Sequence, residues 1–443
     1  MKMDNQPTPP RQSYRALVLF ILVVVYAFNF VDRQIVGILA VPIKAELQLS
    51  DTQLSLMGGL AFALFYTFLG VPIAWLADRS NRVTIMTIAL SVWSAMTAAC
   101  GLAQNFMQLF AARLGVGVGE AGGVAPAYSL IADYFPPNER ARALSIYSFG
   151  IPIGSALGIL MGGILTSVLD WRSAFIIVGL SGLALAPVLK LAVKEPARGG
   201  LDAEGASTAP APIAEVVRTL MAKPSFWGLS FAAASSSMMG YGLIFWLPSF
   251  LVRSFGEELP QFFAWLPGFL LPANPGPVLY ASYFYATMLL VGGTAGIWIG
   301  GALADRYGPD RKAAYALVPA VAFLATIPFY VAGVLAQSLT LAFFVLMVPT
   351  ALSLVWLGPV ITAFQHLVEP NMRATASAIF LFVNNLIGIG LGNLVIGRIS
   401  DTLAARFGDE SLRYAILSGT VFYVVAAALF MATAPRLKRD WAG

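Results

Sequence analysis

Long apolar runs alternate with short polar segments along the whole chain. Because a helix needs about 20 mostly apolar residues to cross a bilayer, this pattern predicts twelve membrane-spanning helices. A polar segment rich in Ala, Pro, Gly and charge, residues 194–223, predicts a linker between the sixth and seventh helices. We therefore expect a six-helix bundle at 1–193 and a second at 224–443. The predicted spans lie near residues 14–43, 51–77, 83–103, 106–135, 141–168, 173–192, 225–252, 280–304, 312–335, 340–367, 373–400 and 411–434.

Composition supports an integral membrane protein and excludes most soluble classes. Of 443 residues, 58% are hydrophobic and 11% are charged, against about 25% charged in a typical soluble domain. The mean hydropathy is +0.77. A soluble enzyme, a disordered scaffold and a nucleic-acid binder are therefore excluded as first interpretations. The single cysteine, Cys100, excludes an internal disulfide.

The positions of lysine and arginine predict the orientation of the chain. The basic residues lie mainly in short loops, and those on one predicted side outnumber those on the other by roughly three to one. This bias places both termini and the linker in the cytoplasm. The first apolar run begins near Leu17, is too long for a cleavable signal peptide and contains Asp32 and Arg33.

Two short sequences recur at matching places in the two halves. Residues 76–79 (LADR) reappear at 303–306, each closing the second helix of its half. Residues 137–141 (PNERA) are echoed by 370–374 (PNMRA), each opening the fifth helix. These repeats indicate a duplicated six-helix unit. Duplicated halves of this size are typical of transporters that work by alternating access around a midplane site.

The loop after the second helix carries a family resemblance. Residues 74–82 (AWLADRSNR) and their echo at 301–308 (GALADRYG) resemble the G-x3-D-R loop of the major facilitator superfamily, although Ala74 and Asn81 replace its usual glycines. The resemblance implies the major facilitator fold, all-α with twelve transmembrane helices in two pseudo-symmetric bundles. The loops would form a cytoplasmic gate, or alternatively serve only as positively charged topology signals. The predicted gate residues are Asp78, Arg79, Arg82, Asp305 and Arg306.

A narrower resemblance covers most of the first half. The segments that carry it are residues 29–33 (NFVDR), 117–121 (GVGEA), 132–135 (ADYF), 140–158 (RARALSIYSFGIPIGSALG) and 171–172 (WR). In these segments the chain resembles the Spinster family, lipid transporters of the superfamily whose animal members include exporters of sphingosine-1-phosphate and lysolipids. The resemblance implies a lipid-like substrate, and proton-coupling roles for an aspartate of helix one and a glutamate of helix four. We expect the bacterial cytoplasmic (inner) membrane as the location.

Four charged residues lie deep inside apolar runs of the first half: Asp32, Arg33, Arg113 and Glu120. A charge at the bilayer midplane costs about 3 kcal/mol on insertion scales, so such residues persist by pairing or by facing a wet cavity. Arg113 and Glu120 are two helical turns apart and share one helix face. We interpret Asp32 and Glu120 as proton acceptors. Arg33 and Arg113 would be their switching partners and ligands for an anionic headgroup. The alternative is a static salt-bridge cluster.

The second half has no carboxylate or lysine deep in a span. Its interior candidates are amides, hydroxyls, methionines and aromatic residues, which suit an amphipathic ligand better than a sugar. Simple packing, lipid contact and interhelical hydrogen bonding are the alternatives. With one residue from the first half, the candidate substrate contacts are Asn29, Tyr241, Trp356, Asn384 and Asn385.

These features together predict a proton-coupled secondary transporter of amphipathic, lipid-like substrates. No catalytic constellation, metal-ligand cluster or ATP motif is evident in the sequence, so we expect neither an enzyme nor a cofactor. The expected partners are the substrate, protons and the bilayer, with no nucleic acid, and the protein is expected to be a monomer. A multidrug or small-metabolite porter remains an alternative, as does a lipid-binding membrane receptor or sensor.

Overall fold

The computed structural model describes residues 11–441 apart from 78, 197–211, 269–270, 273–274, 309 and 369–371. Every regular element in these ranges is helical. The helices are α1 Gln12–Leu47, α2 Asp51–Ser55, α3 Ala61–Ala77, α4 Arg82–Cys100, α5 Phe106–Glu120, α6 Val124–Tyr134, α7 Pro137–Ser148, α8 Gly150–Val168, α9 Trp171–Ala192, α10 Ile213–Met221, α11 Pro224–Phe255, α12 Leu259–Phe262, α13 Pro277–Met288, α14 Thr294–Tyr307, α15 Ala314–Val334, α16 Leu339–Leu352, α17 Leu357–Leu367, α18 Arg373–Phe407, α19 Ser411–Gly419 and α20 Val421–Asp440.

Each predicted span coincides with one of these helices or with a consecutive pair, which confirms the all-helical membrane fold. Within the described residues, ten continuous stretches are long and apolar enough to cross a membrane. One of them, Thr375–Asp440, covers the last two predicted spans except for residues 373 and 374. The fourth predicted span is divided into α5 and α6 by a turn at residues 121–123. Helix α11 runs three residues beyond its predicted end at 252, to Phe255.

The second helix of each half contains a π-helical segment with two adjacent glycines. Leu56–Leu60 (LMGGL) lies between α2 and α3, and Leu289–Gly293 (LLVGG) lies between α13 and α14. A π segment inserts an extra residue into a helical turn, is rare, and frequently lies at a functional site. Its occurrence at matching places in both halves supports the internal duplication inferred from the sequence repeats.

The helices form two compact units. Of the described residues, unit 1 comprises those within 1–39 and 61–207, and unit 2 comprises those within 40–60 and 208–443. The C-terminal end of α1, together with α2 and its π segment, therefore belongs to the same unit as the helices of the second half.

Close helix packing in unit 1 depends on glycines. A Cβ on Gly154 of α8 would lie 2.2 Å from the carbonyl oxygen of Ala27 in α1, and one on Gly119 of α5 would lie 2.5 Å from the backbone nitrogen of Trp93 in α4. Any larger residue would force these backbones apart. Glycine therefore allows α8 to approach α1 and α5 to approach α4, and it fixes the helices that carry the buried charges.

Candidate functional site

The buried charges of unit 1 centre on an ion pair between α1 and α5. Arg33 Nε donates a hydrogen bond to Glu120 Oε2 at 2.7 Å. The Glu120 side chain is fully buried, and that of Arg33 is 16% exposed. Glu120 is the last residue of α5, where the partial negative charge of the helix end disfavours a carboxylate. The Arg33 charge therefore offsets both the burial of Glu120 and its position in the helix.

Aromatic rings surround the Arg33 guanidinium. Its Cζ lies 5.0 Å from the ring centroid of Phe30, 4.8 Å from that of Phe62 and 4.7 Å from that of Tyr66. Ring faces attract a cation electrostatically at these distances. The rings stabilise the charge of Arg33 without neutralising it, and they leave Glu120 as its ionic partner. Phe62 and Tyr66 had no role in the sequence-based prediction.

The second pair of predicted charges lies beside the first. Asp32 and Arg113 are each 2% exposed. The electrostatic neighbours of Asp32 are Glu120, Arg113 and Arg33, and Thr97 of α4 lies next to its carboxylate. The structure therefore brings all four predicted charges together in unit 1, with one direct ion pair among them.

Several polar atoms of this cluster are buried without a hydrogen-bond partner among the described residues. They are Asp32 Oδ1, Arg33 Nη2, Arg113 Nε and Nη1, and Glu120 Oε1. Leaving a buried polar atom unpaired costs about 1–3 kcal/mol, and more for a charged group. The carboxylate oxygens among them can accept a hydrogen bond or a proton, and the arginine nitrogens can donate to a ligand or to water. The coupling role and the static salt-bridge cluster both stay predictions.

The predicted substrate contacts are distributed over both units. Asn29 of unit 1 is 2% exposed and lies beside Glu120. In unit 2, Ser237 Oγ donates to Asn384 Oδ1 at 2.8 Å, and Asn384 Nδ2 donates to Asn385 Oδ1 at 3.5 Å. Asn384 therefore links α11 to α18, in agreement with the interhelical alternative.

The two predicted aromatic contacts of unit 2 lie on different helices. Trp356, at the N-terminal end of α17, is 8% exposed and has its ring centroid 6.4 Å from that of Phe380. Tyr241 is partly buried on α11. Both remain predictions as substrate contacts.

Arg82, one of the predicted gate residues, forms its hydrogen bonds with other residues of unit 1. It is 1% exposed, and its guanidinium donates to Asp133, to Ser129 Oγ at 2.7 Å and to Glu195 Oε1 at 2.6 Å. The other oxygen of Glu195 accepts the backbone N–H of Val83, in the first turn of α4, at 3.2 Å. Arg82 therefore joins α4, α6 and the segment after α9.

The structure describes fewer contacts for the other predicted gate residues. Arg79 and Arg306 are exposed. Asp78 lies outside the described residues, and so does the side chain of Asp305. The cytoplasmic gate stays a prediction, and sequence reasoning missed Asp133 and Glu195 as the partners of Arg82.

We expect Arg82→Gln to destabilise unit 1, because Asp133 and Glu195, whose side chains are 10% and 22% exposed, would lose their cation. Removing one partner of a buried ion pair typically costs about 3–5 kcal/mol. Thermal unfolding of the purified protein in detergent measures the loss. The exposed Arg311 provides a matched control, and Arg311→Gln is expected to leave the melting temperature nearly unchanged. Equal effects of the two substitutions would contradict the structural role of Arg82.

A second ionic centre, in unit 2, was missed by the sequence analysis. Asp51, at the start of α2, is 2% exposed. Its carboxylate accepts hydrogen bonds from Arg253 Nη1 and Nη2 at 2.9 and 2.7 Å, from Lys44 Nζ at 2.6 Å and from Ser400 Oγ at 2.7 Å. One carboxylate therefore ties together the end of α1, the start of α2, the end of α11 and the C-terminal part of α18.

A neighbouring carboxylate fixes the start of α2. Asp401 Oδ1 accepts the backbone N–H of Asp51 at 3.0 Å, and Asp401 Oδ2 accepts that of Thr52 at 2.8 Å. Ser50 and Gln53 complete a capping box at the same helix end. The S-x-x-Q pattern was visible in the sequence and marks the helix start, but nothing local indicates its distant partners.

The fold and the buried charges are those of a secondary transporter, and the comparisons with known proteins agree. The chain belongs to the Major Facilitator Superfamily, whose family model matches residues 22–393. Within that superfamily it is a transporter of the Spinster type. It is 30% identical to protein spinster homolog 1 of Xenopus tropicalis, over 97% of this chain and 82% of that protein.

Two further relatives match nearly the whole chain. An MFS-type efflux pump of Mycolicibacterium smegmatis is 32% identical over 97% of this chain and 95% of its own length. The crystal structure of a bacterial homolog to the human lysosomal transporter Spinster, in an inward-facing and unoccupied conformation, superposes with a TM-score of 0.86. That protein is 33% identical, and the match covers 98% of this chain and 99% of the other. These matches favour a transporter over a receptor or an enzyme.

Proposed function

We propose that this transporter couples proton movement to the alternating-access transport of an amphipathic, lipid-like substrate across the bacterial inner membrane, with both termini in the cytoplasm. The observation that carries the proposal is the buried cluster in unit 1, in which two carboxylates and two arginines share one direct ion pair. Asp32 and Glu120 are the proposed proton acceptors. Arg33 and Arg113 are the proposed switching partners.

The charge balance of the cluster supplies a coupling mechanism. With both carboxylates ionised, the four charges sum to zero. A proton on Glu120 removes the attraction that holds Arg33 and leaves an arginine charge uncompensated in a low-dielectric environment, which is costly. The cation then lowers its free energy by moving toward water or by binding an anionic group. Because proton binding favours one conformer over the other, the proton gradient biases the conformational cycle.

The same cluster supports an amphipathic substrate. Of the four charged side chains, Arg33 is the most exposed and is flanked by ring faces. A guanidinium beside aromatic rings can bind a phosphate or carboxylate while the rings contact an adjoining apolar group. A lysolipid headgroup with its acyl chain combines these two features.

A multidrug porter is the second candidate. The observation that favours it is the similarity to the M. smegmatis efflux pump, since the match covers 95% of that protein's length. In that case the buried carboxylates Asp32 and Glu120 would bind a cationic drug, and Arg33 would be released when the drug neutralises its partner.

Transport in proteoliposomes separates the two candidates. We expect a pH gradient to accelerate the movement of a lysosphingolipid, and a protonophore to reduce it to the gradient-free rate. A cationic dye, tested in parallel, is expected to show little transport. Gradient-driven dye transport without any lysosphingolipid response would favour the drug porter and contradict the lipid proposal.

A further inference from the structure

The segment predicted as a linker contains a short helix, α10, whose apolar residues fall into two groups. Val216 and Leu220 are at most 1% exposed and face unit 2, where α10 packs against α11 and α18. Ile213, Val217 and Met221 are 64%, 41% and 65% exposed. These three are spaced four residues apart, so they form one stripe along the helix beside the buried face. We call it the α10 stripe.

The third face of α10 is polar and points away from the stripe. Its residues line an open cavity of about 670 Å³ together with the C-terminal end of α20. Successive residues are rotated by 100° about the helix axis, so the centre of this polar face lies well over 90° around the axis from the centre of the α10 stripe. The helix therefore has three distinct faces: a buried apolar face, an exposed apolar stripe and a polar face. The residues lining the cavity are Glu215, Arg218, Thr219, Ala222, Lys223, Arg439, Asp440 and Trp441.

The end of α10 lies against the first turn of α11, a predicted membrane-spanning helix. Trp227 Nε1 donates to the carbonyl oxygen of Leu220 at 3.1 Å, which joins the first turn of α11 to the end of α10. The ring of Trp227 lies 6.1 Å from that of Phe231, which is 45% exposed on the same membrane-spanning helix. Tryptophan with one apolar side and one hydrogen-bonded N–H is typical of the membrane–water boundary.

Helix α10 is held rigidly at this position. Lys223, two residues after its end, donates from Nζ to the carbonyl oxygen of Leu367 at 2.5 Å and to that of Asp440 at 2.8 Å.

We propose that α10 is an interfacial helix whose stripe inserts into the boundary between headgroups and acyl chains of the adjacent lipid leaflet. The partner is the lipid surface itself. The polar face then points to water, as in other helices that lie in the plane of a membrane. Because Lys223 and the buried face fix α10 to unit 2, its insertion sets the depth of unit 2 in the bilayer.

Spin-label accessibility tests this proposal on the full chain in phosphatidylcholine–phosphatidylglycerol vesicles. The one native cysteine, Cys100, is fully buried, so the unsubstituted protein supplies the background signal. Labels are attached singly to Val217→Cys in the stripe, to Thr219→Cys on the polar face and to Phe231→Cys on the spanning surface of α11. Collision rates with oxygen, which concentrates in lipid, and with a water-soluble nickel chelate are measured for each label.

We expect the ratio of oxygen to nickel accessibility at position 217 to exceed that at 219 several-fold and to lie below that at 231, because 217 inserts at the boundary of the bilayer whereas 231 lies on a spanning helix. A ratio at 217 equal to that at 219 would show a water-exposed helix and overturn the proposal. Low accessibility to both reagents at 217 would indicate a protein contact, such as a second copy of the chain, and would also overturn it. A variant that fails to fold is recognised by its elution profile, and Met221→Cys then replaces Val217→Cys.

Discussion

Glu120→Gln is expected to abolish the stimulation of transport by a pH gradient while leaving the protein folded. Glutamine has the size and shape of a protonated glutamate, so the variant is held in the state that follows proton binding. The hydrogen bond to Arg33 at 2.7 Å loses its ionic component, and the proton gradient has no site on α5 to act on. Initial rates of substrate uptake, with and without the gradient, measure the effect.

The matched control is Glu139→Gln, which removes a carboxylate from another arginine pair of the same unit. Arg15 Nη1 lies 2.9 Å from Glu139 Oε2, and the Glu139 side chain is 47% exposed. A pair this accessible contributes at most about 1 kcal/mol, so pH dependence should persist. Asp32→Asn is expected to resemble Glu120→Gln. Normal pH dependence in both Asp32→Asn and Glu120→Gln would refute the coupling mechanism, whatever the substrate.

The charged part of the candidate site could be predicted because charged residues are rare in segments that cross the hydrocarbon core of a membrane. Asp32, Arg33, Arg113 and Glu120 interrupt apolar runs, and their cost in a bilayer demands an explanation from sequence alone. The structure places them together in unit 1. The aromatic contacts of Arg33 gave no comparable signal, since a ring such as Phe62 inside an apolar span looks the same whether it contacts lipid, core or cation.

The ionic centre at Asp51 was missed for the opposite reason. Asp51, Lys44 and Arg253 all lie at predicted helix ends, where a charge is ordinary. Their proximity depends on the tertiary fold, since the hydrogen bond from Arg253 spans 202 positions and that from Ser400 spans 349. The pattern of apolar spans predicts which residues lie at helix ends, but it does not show which helix ends contact each other in the fold.

Helix α10 illustrates a third reason why a structural feature could not be predicted from the sequence. The Ala, Pro, Gly and charge content of residues 194–223 predicts a linker, and the sequence analysis did not identify the short amphipathic pattern at its end. The spacing of Val216 with Leu220, and of Ile213 with Val217, is helical. A nine-residue helix is too short to be stable alone and depends on tertiary contacts, which the sequence does not display.

Asp51→Asn is expected to destabilise unit 2 strongly. The change leaves Arg253 and Lys44 facing a neutral amide whose NH₂ group cannot accept their hydrogen bonds. The side chains of Arg253 and Lys44 are 14% and 35% exposed, so water screens part of the lost attraction. Since breaking a buried pair costs about 3–5 kcal/mol, we expect a loss near the lower end of that range, measured as a lowered melting temperature in detergent.

Two controls determine whether the loss arises from the ionic contacts. Glu410→Gln removes a carboxylate from a more exposed pair, in which Arg413 Nη1 lies 2.5 Å from Glu410 Oε2 and the side chains are 20% and 40% exposed. That change should cost less than about 1 kcal/mol. In the double variant Asp51→Asn, Arg253→Gln, the loss should be smaller than the sum of the two single losses, because the second substitution removes the cation that the first left unpaired. Strictly additive losses would mean that Asp51 and Arg253 stabilise unit 2 independently, and the bidentate contact would then not explain the burial of Asp51.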